Sequence, residues 1–453
     1  MHKQRWLALL VTLIMILGLA PTALAEETIT LRLWAGVQPE YGYDELVKNF
    51  NEEFKDQNVQ VEYVRYVNND EGNLQLDTYL MSGGEVDVFV SYGGMTRLMP
   101  RQEAGLVYDL TDKLVERGFD PVKEIGESNL VSGMIDGRYY AVPTKYENNL
   151  WMFVNVDMFE EAGIEVPYKG WTWAEFREAA KKLTKGEGID KVYGLFWNLS
   201  YSFEIATDFA NNYLGDYSIY KDLECTETNF DDPIYQQGLQ LVLDTMLTDK
   251  SAPTYGEEVA NQLTLANTFL EGKAAMAMGI AHMRLVKDTA TYPHDFTTAI
   301  VPVPVPDESY LEEYWDHGNV STGIGDTICI SSKTEHIDEA VDFVIWYIKG
   351  GMAPLASGGR IPLWSGVDPQ SVVEALMEGA EGVFDVESVY NYLAIDKSKM
   401  VFTPNRPLTA QAEIKTVMKE ELEFAMSGMK TAEQALADMK TRSDELIQEA
   451  LNE

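Results

Sequence analysis

Lys145-Tyr146-Glu147-Asn148-Asn149 is the stretch of this sequence best equipped to hold a polar molecule. It stands between two apolar runs, one ending at Val142-Pro143 and one resuming at Leu150–Val154, and each reads as a buried strand. The glycine-containing pair that a tight hairpin prefers is absent. Polar side chains on a passage between two buried strands need water or a ligand as their partner. The run therefore reads as a crossing from one sheet to another with its polar groups turned to a ligand; the plainer alternative is an ordinary exposed loop. Amides and carboxylates exchange several directional hydrogen bonds with hydroxyls, and aromatic rings cover C–H faces. With nine Trp and 24 Tyr to draw on, the chain suits a saccharide better than an ion.

Bond-breaking chemistry is less well provided. There is no G-x-S-x-G, H-E-x-x-H, G-x-G-x-x-G or P-loop segment. The five His have no metal-ligand spacing, so neither a catalytic zinc nor any other cofactor is expected. A secreted glycoside hydrolase needs two carboxylates at a set separation. With 73 acidic residues chance pairs abound, so this stays open as an enzymatic alternative to a binding protein. Asn68–Asn73, "NNDEGN", departs from the EF-hand spacing and reads as a solvated loop rather than a Ca²⁺ site.

The elements that must position these residues follow a leader. Lys3 and Arg5, the apolar stretch Leu7–Leu19 and the small residues Ala23-Leu24-Ala25 form a secretory signal peptide over residues 1–25. No Cys stands near the cut, so lipid attachment is not expected. The chain is expected to be extracytoplasmic, periplasmic or at the cell surface. Its net charge of −38 becomes −40 once the two leader cations are gone, which argues against nucleic acid and anionic membranes as partners. Cys225 and Cys329 are far apart in sequence, and Cys329 in "TICI" reads as a small core residue.

From Ile29 the chain alternates strand and helix. "ITLRLW", "VQVEYVRY" and "VDVFVSYGG" read as strands; "YDELVKNFNEEF" and "LQLDTYLMSGG" read as helices, the first with Leu46, Val47, Phe50 and Phe54 on one face. This is the α/β pattern of a parallel sheet covered by helices. "GWTWAEFREAAKKL" carries a capping box, Thr172 with Glu175, before an apolar face of Phe176, Ala179, Ala180 and Leu183; Thr431 and Gln434 form a second box. "YGLFWN", "FTTAIVPVPVP" and "GDTICIS" read as further strands, the proline-rich one as an edge. In such sheets ligands lie beyond the carboxyl ends of the strands, which marks "AGVQPEYG", "SYGG" and "TKYENN".

Three segments resemble the extracellular solute-binding proteins (family 1, maltose-binding-protein-like) that serve ABC sugar importers. The first carries Gly137, Tyr140, Pro143, Asn155, Phe159, Ala162, Gly163, Ile164, Pro167, Thr172, Trp173, Glu175 and Phe176; the second is "TFLEGKAAMAMG", the third "GIGDTICISSKTEHIDEAVDFVIWYI". The likeness implies a two-lobed periplasmic-binding-protein fold of type II, each lobe a mostly parallel sheet flanked by helices, joined at a hinge. Lobe one is then residues 26–143 plus 296–346 and lobe two 144–295 plus 347–453. It further implies a monomer that binds a mono- or oligosaccharide without catalysis and docks on a membrane permease. Carried over position by position, the ligand-binding candidates are Glu40, Tyr41, Tyr92, Tyr146, Glu147, Asn148, Trp197, Arg360 and Trp364; Trp34 and Trp173 read as core or cap residues. The family Trp that follows the glycine of the second segment is missing. Ile280-Ala281-His282 stand after Gly279, His282 reads as a satisfied polar residue, and a stacking partner is then to be sought elsewhere, as at Trp315. A polyamine, peptide or other cation, paired by Glu40 and Glu147, is the alternative ligand class.

Overall fold

The computed structural model describes residues 28–83, 85–146, 151–199, 219–222, 224–279, 282–309, 326–393 and 408–452; the leader and Trp315 lie outside them. The first sheet orders its strands Val59–Arg65, Ile29–Ala35, Val88–Tyr92, Asp326–Ile330 and Val142–Pro143. The first three run parallel. Asp326–Ile330 returns antiparallel beside Val88–Tyr92 and pairs on its other side with Val142–Pro143. The helix Tyr43–Glu53 buries Tyr43, Leu46 and Phe50 against this sheet, while Val47 and Phe54 pack at its margin.

Between the second and third strands lies the helix Asp70–Ser82, and the "NNDEGN" residues are absorbed in starting it. Asn69 caps the helix by accepting from the Gly72 amide, Asp70 pairs with Arg97, and Gly72 sits so close to Val67 that a Cβ would stand 1.8 Å from its carbonyl oxygen. Asn73 accepts a 2.9 Å hydrogen bond from the buried Arg101 guanidinium, whose other nitrogens reach Asp77 at 2.6 Å and Ser91 at 2.9 Å. These side chains are committed to the protein's own structure.

The second sheet is ordered Thr298–Pro302, Trp151–Asn155, Met276–Met278. Its ladders are antiparallel; parallel pairing is confined to bridges at its margins, Phe196 with Ala277 and Thr298 with Phe384. "YGLFWN" thus pairs through isolated bridges rather than as a full strand. Gly194 explains part of this, because its backbone abuts Ala180, where a Cβ would lie 1.9 Å from the carbonyl oxygen. Thr298–Pro302, expected in lobe one, is hydrogen-bonded into this second sheet, so the chain returns to the first sheet after Pro302 and before Asp326. Its edge position agrees with its prolines. Beyond it the run "VPVPVP" is held by indoles, with Trp171 donating to the Pro302 carbonyl at 2.9 Å and Trp173 to that of Pro304 at 3.0 Å.

Helix Trp173–Leu183 starts at the expected capping box and buries Phe176, Ala179, Ala180 and Leu183. Both hydrogen bonds of the Thr431–Gln434 box are also formed. Thr172→Ala is expected to cost about 1 kcal/mol, the usual worth of such a cap, read as a lower urea midpoint at constant m-value. Cys225 and Cys329 are both buried and form no disulfide with each other; burial pushes the Cys329 thiol up to about 12, which leaves it inert.

Candidate functional site

The ends of the two sheets that meet at the chain crossings can be identified from register. Trp151 begins its strand just after the crossing and pairs with Pro302, and its neighbour Met152 pairs with Met278. Gly279, which follows Met278, therefore lies at the crossing end of the second sheet. So does Asn198, two residues past the parallel bridge of Phe196 with Ala277. In the first sheet Asp326 pairs with Tyr92, and Thr327 with Pro143 just before the crossing, so the crossing end there is the carboxyl end of the parallel strands. The strand ends of both lobes, where ligands of α/β sheets bind, face the same hinge.

Three chain segments build that hinge and one carboxylate ties them together. Lys145-Tyr146 pairs with Ile361-Pro362 as a two-stranded sheet, and the Thr144 amide donates to the Asp326 carbonyl at 3.1 Å. The Asp326 carboxylate then receives Arg360 at 3.1 Å and stands 3.7 Å from the Lys145 ammonium. All three side chains are nearly buried, at 8–12% exposure. Burial works against the Arg360 charge, but Asp326 and the neighbouring Tyr hydroxyls hold its pKa above the ordinary arginine value.

Among the residues expected from sequence, Tyr92 and Arg360 stand at this hinge. The Tyr92 hydroxyl accepts from the Gly36 amide at 2.9 Å, and burial, then Asp326, pushes it up to about 12. Gly36 is needed there, since a Cβ would lie 3.0 Å from both Tyr92 and Asn68. Tyr41 lies in the loop after the first strand with Arg284 above its ring, 5.8 Å from the centroid; Glu40 beside it is exposed. Trp364 donates to Glu124 at 2.6 Å. That bond, ahead of the Lys349 contact, holds the Glu124 carboxyl below its usual range, so Trp364 anchors the segment after the hinge to the helix Pro121–Ile125. Trp197 must be corrected: it is wholly buried and donates to Thr245 at 2.9 Å, a core residue beneath the strand end rather than a ligand contact. The backbone of Tyr146 is placed by its pairing with Ile361; its side chain, like Glu147 and Asn148, lies outside the described residues.

Several residues at the crossing ends carried no sequence signal strong enough to be chosen: Asp326, Asn198, Gly279 and His282. The side-chain nitrogen of buried Asn198 has no partner among the described residues, and burial, helped by Arg284, drives the His282 imidazole down to about 4, leaving it neutral. Lys287, in the helix Met283–Lys287, donates to the carbonyls of Ser357 and Ala375 at 3.0 and 3.2 Å, fastening that helix to the segments Ala353–Gly358 and Pro369–Met377. Beside Ala353–Gly358 opens a cavity of about 1030 Å³, lined by Glu45, Trp346, Pro354 and Ala375 among others, with no strand residue in its described lining. No group of three or more His, Cys, Asp or Glu among the described residues is arranged to hold a metal, and no described helix is long and apolar enough to cross a membrane.

Residues 35–349 match the family model described as bacterial extracellular solute-binding protein. A lipoprotein of Streptomyces antibioticus, encoded 5′ of oleD, is 26% identical over 375 residues, 79% of this chain and 75% of its own. Among solved structures, an ABC substrate-binding protein of Listeria monocytogenes in complex with cycloalternan superposes with a TM-score of 0.71 at 20% identity, over 94% of this chain and 100% of that one. The sugar-binding protein MalE of Xanthomonas citri gives 0.67 at 19% identity, over 93% and 98%. Both have the same two-lobed fold.

Proposed function

Because this chain belongs to the bacterial extracellular solute-binding proteins, we propose that it captures a mono- or oligosaccharide between its two lobes and delivers it to the membrane permease of an ABC importer. The observation that carries this reading is the meeting of both sheets' crossing ends at one hinge, where Asp326, Lys145 and Arg360 gather three chain segments. A solute lodged there touches both lobes at once. Contacts made only in the closed form then shift the lobes toward closure. The fold neighbours solved with cycloalternan and described as sugar-binding support a saccharide. The polyamine alternative gains nothing from the hinge floor, whose described charges include Lys145 and Arg360.

A thermal-shift panel of neutral sugars with spermidine as comparator tests this. A sugar at a hundredfold excess over its Kd adds about 2.7 kcal/mol to stability and raises the melting temperature. X-ray scattering with that sugar should show a smaller radius of gyration. A response to spermidine and to no sugar would overturn the reading; so would new reducing ends on incubation with oligosaccharides, which would make the protein a hydrolase.

A further inference from the structure

The crossing end of the second sheet contains a polar arrangement that neither the fold nor the core explains. Asn198 is 4% exposed, and its side-chain nitrogen has no partner among the described residues. A buried donor left alone costs about 1–3 kcal/mol, so native proteins rarely leave one without a purpose. Asn198 also holds a left-handed backbone, φ 59°, a conformation Asn tolerates better than most residues.

That nitrogen points at Gly279. A Cβ built on Gly279 would stand 3.0 Å from Asn198 Nδ2 and 3.3 Å from His282 Nδ1. The two nitrogens therefore converge over one bare glycine, which itself has φ 110°. Any side chain at 279 would sit on both. His282 is neutral, so one ring nitrogen is an acceptor. A hydroxyl is the group that uses both partners, accepting from an amide N–H while donating to an imidazole nitrogen.

We propose that Asn198 and His282, across Gly279, form a subsite that reads a single ligand hydroxyl, with Asn198 Nδ2 donating to its oxygen and His282 Nδ1 accepting its proton. Asn198 is the specificity-determining member. A solute lacking that hydroxyl leaves the amide unpartnered, and discrimination follows from that penalty. The inference rests on the saccharide reading above and narrows it: the favoured sugar carries a free hydroxyl where it meets lobe two, whatever stacks on its rings elsewhere.

The test uses the full mature chain, with glucose, galactose, maltose, cellobiose and maltotriose as probes in titration calorimetry. For the sugar that binds tightest, its monodeoxy analogues are measured on wild type, Asn198→Gly and Asn198→Asp. Glycine keeps the left-handed backbone and deletes the donor; aspartate keeps the shape and replaces the donor by an acceptor. Both variants are expected to bind the parent sugar about tenfold more weakly, the upper worth of one neutral hydrogen bond. One deoxy analogue should lose about as much on wild type and nothing further on Asn198→Gly. Parent-sugar binding within twofold of wild type in a folded variant overturns the subsite but leaves the saccharide reading standing. If Asn198→Gly fails to fold, the wild-type deoxy series decides, because equal binding of every analogue overturns it. Failure of all five sugars to bind wild type removes the saccharide reading and the subsite with it.

Discussion

Replacing Glu258 by Gln is expected to stabilise this protein at pH 8 and to change little at pH 4. Glu258 lies in the helix Tyr255–Ala260 with only 3% exposure. One oxygen accepts from the Leu199 amide at 2.9 Å; the other has no partner among the described residues. Burial therefore drives its pKa from 4.5 to about 8, against the single opposing hydrogen bond from Leu199. Between those values the folded chain holds a proton that the unfolded chain has released. Where the native state binds more protons, stability falls as pH rises. The contribution of Glu258 is thus fully present below pH 4.5 and is lost progressively up to about pH 8. At roughly 1.4 kcal/mol per unit, the loss is on the order of 3–5 kcal/mol.

Gln keeps the carbonyl that Leu199 uses and carries no proton to lose. Other titrating groups are common to both proteins, so the difference between them isolates this site. Urea unfolding at pH 4, 6 and 8 should show the Gln variant pulling ahead of wild type as pH rises. Parallel pH profiles would mean that Glu258 ionises normally in the folded protein. The residue also stands directly beneath Leu199, next to Asn198, so the wild-type cost is located at the root of the second lobe's crossing end.

What the sequence disclosed and what it concealed divide by range. Capping boxes at Thr172 and Thr431 were legible because donor and acceptor lie three residues apart. The three parallel strands of the first sheet were legible because helix and strand periods alternate cleanly. The crossing at Lys145 was legible because a polar run without turn residues has few other places to go, and it pairs with Ile361-Pro362. Thr298–Pro302 went to the wrong lobe because an apolar strand does not name its partner; only the ladder to Trp151–Asn155 does. Trp197 was misread for a related reason. A tryptophan at a strand end looks the same whether its ring turns to the gap or to Thr245, and alternation along isolated bridges is too weak to settle it. Asp326 left no local trace at all, since its meaning comes from Lys145 and Arg360, far away in sequence.

That same residue carries the second large effect. Asp326→Asn is expected to cost about 3–5 kcal/mol, because it takes from the buried Arg360 guanidinium the carboxylate that receives it. Lys145 and Arg360 stay in place at 11% and 12% side-chain exposure and lose the carboxylate between them. An isolated surface ion pair would cost at most about 1 kcal/mol, so the magnitude itself reports burial. The double variant Asp326→Asn/Arg360→Met should recover part of the loss, since the uncompensated guanidinium goes with its partner. The consequence for function follows from where the cluster sits. Each of its three members comes from a different segment of the hinge, so the cluster ties together the segments that would form the pivot of the proposed closure. The single variant, still folded at low temperature, should show a larger radius of gyration without ligand than wild type, as its crossings loosen. A cost below 1 kcal/mol with unchanged scattering would show instead that backbone pairing alone, Thr144 to Asp326 and Tyr146 to Ile361, holds the hinge.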